Sequence, residues 1–275
     1  MERGIRSIKQ GIRTTDGAGV QLVRVLAQED VYDFDPFLML DSFDSTNPAD
    51  YTRGFPTHPH RGIETITYLI HGRIEHEDSL GNRGVIRSGQ SQWMTAGGGI
   101  LHQEMPQASP RMLGIQLWLN MPQAQKMSPP AYNDITEAQI PAVDVDGSTV
   151  RVLSGRFGAA QGFLPRHVPA TILDIALPAG KSLQLDTIPG QTAFLFTILG
   201  AITTAGQAIA EKSAVLYDDA EHIAIQANGG DARVLFFMAP PLREPIAWGG
   251  PIVMNTREEL DLAFRQLRRG TFLQS

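Results

Sequence analysis

From Val20 to Asn120 the chain is written in short apolar-rich runs separated by Gly, Pro, Asn and Asp, among them QLVRVL, IETITYLI, GVIR and GIQLWLN. Runs of that length, rich in β-branched and aromatic residues and closed by turn formers, predict antiparallel strands of a sandwich or barrel. Alternating strand and helix units do not fit them. Between Asn120 and Gly147 the pattern breaks: MPQAQKMSPPAYNDITEAQIPAVDVDG carries prolines wherever a regular element would extend. The stretch 121–147 is therefore expected to be a linker packed along the surface. Short strands then return as TVRVLSG, ATILDIALPAG, KSLQLD, TAFLFTILG, HIAIQA and ARVLFFMA. Both halves share this pattern, so the expected fold is all-β, with two tandem β-barrels over 1–120 and 148–245 and a tail over 246–275.

Setting ETITYLIHG beside TAFLFTILG matches Gly72 with Gly200 and points to a degenerate internal duplication. The same alignment puts Asp186 and Ile188 where the first half has His58 and His60, so the second barrel is expected to lack a metal. The tail holds the one clear helical signal. Thr256 and Glu259 make a T-x-x-E capping box, Leu260, Ala263, Phe264 and Leu267 recur at helical spacing, and Gly270 supplies the stop. A short amphipathic helix packed on a barrel is expected.

Composition narrows the function. The 275 residues are 42% hydrophobic and 19% charged, enough apolar material for two cores. A net charge of −6 would repel a phosphate backbone, which argues against direct nucleic-acid binding. Without cysteine the chain has no disulfide, thiolate zinc site or cysteine nucleophile, so any metal must be held by nitrogen and oxygen. The N-terminal stretch lacks an apolar signal region, and no window approaches the roughly 18 apolar residues of a membrane span. A cytoplasmic monomer with no membrane partner is the resulting expectation.

The chemistry gathers in two segments. In FPTHPHRG, His58 and His60 are two apart, so an extended backbone turns both imidazoles to one face. Pro59 between them lacks a backbone donor, which predicts an edge strand. In TAGGGILHQEMP, Gly97, Gly98 and Gly99 allow a tight turn before His102 and Glu104, which again share a face. Facing strands of a small barrel can focus all four groups inward. Three imidazoles and a carboxylate suit a borderline divalent transition ion better than calcium or magnesium; iron(II) comes first, with manganese, nickel, copper and zinc open. Glu64 is expected to orient a ligand from behind. His76, like His71, His167 and His222, reads as structural, and Trp93, Met94, Phe43 and Trp118 read as core.

DPFLMLDSF, FPTHPHRGIETITYL, EHEDSLGNRG, QWMTAGGGILHQEMP, IQLWLN and GPIVMNTREE together resemble the pirin family. The resemblance implies a bicupin fold, two tandem cupin-type barrels, with one mononuclear iron in the N-terminal barrel. His58, His60, His102 and Glu104 fall on the family's ligand positions. For some members it implies quercetin 2,3-dioxygenase activity on a flavonol and O2, and on that reading Glu104 is also the catalytic base for the 3-hydroxyl proton. Pirins are also described as regulators, so the alternative is a metal-containing protein that binds a transcription factor or metabolic enzyme.

Overall fold

A computed structural model of the chain describes residues 1–273. Almost every regular element is a strand, as the short apolar runs demand, and the strands build two barrels of matching design. In the first, a seven-stranded sheet runs in the spatial order 131–135, 91–95, 63–71, 112–120, 37–45, 20–26, 12–16. A four-stranded sheet closes it in the order 55–60, 100–106, 73–78, 83–87. The second barrel repeats the plan, with seven strands in the order 5–10, 213–217, 192–199, 232–239, 171–177, 148–154, 142–145 and four in the order 182–186, 222–227, 202–204, 207–209. No helix among the described residues is long and apolar enough to cross a membrane.

The compact units do not follow the chain continuously. One holds Met1–Ile12, Asp33–Asp35 and Glu137–Pro241; the other holds Arg13–Tyr32, Pro36–Thr136 and Leu242–Ser275. Relative to the expected span 1–120, residues 1–12 fall in the other unit, and the 246–275 tail groups with the first barrel. The reason is strand pairing: Ile5–Gln10 adds antiparallel to Ser213–Tyr217 and covers what would be an open edge of the second barrel. The stretch read as a linker also supplies strands, Ala131–Ile135 to the first barrel and Ala142–Val145 to the second.

The duplication is visible in the pairing. In the first barrel His58 lies opposite His102, and at the same place in the second Asp186 lies opposite His222. Asp186 is exposed, while the neighbouring inward positions are the aliphatic Leu183 and Leu185, which join a core with Ile223, Ile225 and Val215. The tail forms the expected helix, Arg257–Arg269. The Thr256 hydroxyl accepts from the Glu259 amide at 3.2 Å, the Glu259 carboxylate accepts from the Thr256 amide at 2.9 Å, and Gly270 ends the helix at φ 69°. Leu260 and Ala263 are buried against Ile252, Met254 and Phe272 of the first barrel's unit.

Candidate metal centre

His58 and His60 sit on Phe55–His60, at the outer edge of the four-stranded sheet, where Pro59 leaves no inner ladder bond unmade. Next to it, Ile100–Pro106 carries His102 and Glu104, its buried residues alternating as a period of two requires. Gly97 at φ 50° and Gly99 at φ 141° make the turn that starts this strand. A side chain at Gly97 would collide with the Ser128 carbonyl.

The fold brings the three imidazoles together, with one ring nitrogen of each within 4.8 Å of the others. The protonation of two of them follows from their partners. His58 Nδ1 is 2.9 Å from the Pro56 carbonyl and His60 Nδ1 is 3.0 Å from the Pro251 carbonyl. A carbonyl only accepts, so both Nδ1 atoms must donate, and in neutral rings both Nε2 atoms are bare lone pairs. These two nitrogens are 3.0 Å apart. His102 Nε2 is buried with no hydrogen-bond partner. Burial first, then the neighbouring His58, drives the His60 pKa down to about 3, and burial likewise pushes His102 well below the ordinary histidine range. Three converging imidazole nitrogens, that of His102 buried without a partner, are a donor set that fits a divalent cation.

Glu104 is buried close by but stands outside that set of three. One carboxylate oxygen accepts from Thr67 Oγ1 at 2.9 Å and the other from Gln116 Nε2 at 2.5 Å, while Trp118 Nε1 donates to Gln116 Oε1 at 3.3 Å. Burial raises its proton affinity, against the pull of His58 and of these hydrogen bonds. Glu64 differs from expectation. Thr67 faces Glu104, so the period of two turns Glu64 to the opposite face of its strand, where it accepts from Thr95 at 2.6 Å. It cannot orient a histidine from there. His76 lies across from Glu104 with its ring tilted 32° against that of Tyr132, centroids 4.8 Å apart, and with Asp134 at 3.5 Å, a structural role.

His58 and His60 open onto a cavity of about 610 Å³ that is also lined by Gln116, Trp118, Trp248 and Arg24, among others. The Trp118 ring is 4.9 Å from His60 and 5.8 Å from Trp248. Trp93, Met94 and Phe43 are core as expected, whereas Trp118 is both core and cavity wall. Sequence reasoning missed Thr67, Gln116, Trp248 and Pro251. The first two sit at inward positions of their strands, a usable signal, but Pro251 acts through its carbonyl, which any residue would supply.

A family model described as Pirin matches residues 19–119, and one described as Pirin C-terminal cupin domain matches residues 172–273. The chain belongs to the pirin family. It is 43% identical over 274 residues to a pirin-like protein of Caulobacter vibrioides, covering 98% of this chain and 99% of that one. It is also 43% identical over 279 residues to a Pseudomonas aeruginosa protein named "Putative quercetin 2,3-dioxygenase", covering 98% and 97%. Among solved structures, quercetin 2,3-dioxygenase of Acinetobacter baumannii superposes with a TM-score of 0.91 at 30% identity, covering 99% of both chains. The all-β bicupin fold with a C-terminal helix is thus established for this pirin.

Proposed function

We propose that this pirin is a metal-dependent dioxygenase that cleaves a flavonol such as quercetin, using O2 and releasing carbon monoxide. The observation that carries the reading is the cavity itself: His58 and His60 of the three-imidazole cluster line it beside two indole faces, in a volume suited to one planar polycyclic ligand. The quercetin dioxygenase named among its relatives supports the choice of substrate.

His58, His60 and His102 would hold the ion, iron(II) first, with Glu104 as fourth ligand through a free lone-pair direction of its carboxylate. When bound, such an ion supplies a Lewis acid that lowers the pKa of a coordinated hydroxyl. The remaining work falls to the chain. Trp118 and Trp248 offer apolar faces that take the flat ring system and displace water. Glu104, held by Thr67 and Gln116 in a buried setting that raises its basicity, accepts the 3-hydroxyl proton. The electron-rich flavonolate then meets O2 in a water-poor cavity.

The test is aerobic turnover of quercetin by iron(II)-loaded protein, followed by loss of flavonol absorbance and release of carbon monoxide. Turnover that depends on added metal and disappears in His58→Ala/His60→Ala is expected. A fully loaded protein that leaves quercetin intact would move the function to the regulatory alternative, in which the barrel is a metal-dependent scaffold for another protein.

A further inference from the structure

Arg61 directly follows His60, and the residue is only 2% exposed. Long basic side chains are rarely buried this deeply, so each donor needs an acceptor built for it. Nε donates to the Gly98 carbonyl at 2.7 Å, Nη1 to Gln266 Oε1 at 2.5 Å and Nη2 to the Phe272 carbonyl at 2.7 Å. The group also lies 4.2 Å over the Phe272 ring. One side chain therefore grips the glycine turn that precedes His102, the C-terminal helix and the segment that follows the helix.

The backbone beside it makes the connection to the histidines. The Arg61 carbonyl accepts from the Val253 amide at 3.1 Å, and Arg61 bridges Ile252 in parallel. At Gly62 a Cβ would fall 1.9 Å from the Val253 carbonyl, so the two segments run in contact along 60–62 and 251–253. That contact is what brings the Pro251 carbonyl to His60 Nδ1. A hydrogen bond at the far nitrogen fixes both the tautomer and the aim of a ligating imidazole.

We propose that Arg61 is a positioning residue of the metal centre: it clamps the 247–273 segment onto the histidine strand, so that Pro251 sets the His60 tautomer and Gly98 holds the approach to His102. The proposal rests on the three-histidine centre being a metal site. Loss of partners behind a ligating histidine weakens metal binding by about 10- to 100-fold, and Arg61→Met, which keeps the unbranched stem about as far as Nε but has no donors, is expected to fall in that range.

Cobalt(II) serves as the probe, because its visible absorption reports ligand geometry apart from any catalysis. Affinity is measured by chelator competition, and the spectrum is recorded at saturation. Arg61→Met should lower affinity and shift the cobalt bands, Arg61→Lys should recover part of both, and Gln266→Ala should move them in the same direction by less. A merely structural role would lower the melting temperature of the metal-free protein and leave the bands of the saturated form in place. That result in folded Arg61→Met would overturn the clamp; if Arg61→Met does not fold, Gln266→Ala with unchanged affinity and bands overturns it. Native protein that takes up no cobalt would refute the metal centre itself, and the clamp with it.

Discussion

Replacing Glu104 by Gln separates a base from a passive ligand, because the structure predicts that the fold will tolerate the change while the chemistry will not. Glu104 accepts one hydrogen bond on each oxygen, from Thr67 and from Gln116. An amide in its place can keep its oxygen toward Gln116 and turn its NH2 toward the Thr67 hydroxyl, which can accept, so no buried group need be stranded. The cost to folding should then be about 1 kcal/mol, the scale of one neutral hydrogen bond remade less well. The basic lone pair, however, is gone, and loss of a general base is expected to cut turnover by about 10²-fold or more, or at least about 2.7 kcal/mol of barrier. The assay is quercetin turnover under air, normalised to metal bound, for native and Glu104→Gln protein across a range of pH. Activity of the variant should recover in part at high pH, where the flavonol arrives already ionised. Near-native turnover per bound metal at neutral pH would refute the role of base.

Three further outcomes follow from the same structure. Elemental analysis should find one transition ion per chain, because the converging imidazoles belong to the first barrel, and His58→Ala/His60→Ala should abolish it; two ions per chain would contradict the assignment. Chelation should lower the melting temperature while far-ultraviolet circular dichroism stays that of a β protein, since both barrels have aliphatic cores of their own. Lys126 is buried with Nζ donating to the Gly62 carbonyl at 2.8 Å and Asn120 Oδ1 at 2.6 Å, and burial lowers its pKa from 10.5 to about 7 against the pull of Glu244 and Glu259. Between those values the unfolded chain binds a proton that the folded one has released, so stability should rise with pH across that window, by at most about 1.4 kcal/mol per unit. Denaturant titrations should show this rise flattened in Lys126→Met.

Much of this architecture was legible in the chain. Short strands, the repeated barrel plan and the capped terminal helix depend on local patterns: period-two burial, turn formers and a T-x-x-E box, all of which survive into the structure. The convergence of His58, His60 and His102 was legible for the same reason, since two-residue spacing on a strand fixes which way a side chain points. Glu64 shows the limit of that logic. Its face depends on the strand's own phase, which the touching pair Thr67 and Glu104 reveals and the sequence alone does not. The placement of Ile5–Gln10 in the second barrel was illegible because its partner Ser213–Tyr217 lies some two hundred positions away and only tertiary geometry selects it. Trp248 and Pro251 were hidden likewise, because they reach the histidines from a segment nearly two hundred positions away.

The placement of Ile5–Gln10 also bears on how the chain is made. The Gln10 side chain meets Ser213 across 203 positions, and Arg61 meets the Phe272 carbonyl across 211. At about 5–20 residues per second of translation, each waits on the order of ten to forty seconds for its counterpart to leave the ribosome. Until Ser213–Tyr217 emerges, Ile5–Gln10 is a strand without its partner, a state exposed to wrong pairing. A fragment that begins after Gln10 would leave the Ser213–Tyr217 edge of the second barrel uncovered, whereas the sheets of the first barrel lie within 12–135 and lack only the later segment that aims His60. Loading of an ion through His60 would likewise wait, since the carbonyl that aims this ring emerges 191 positions later.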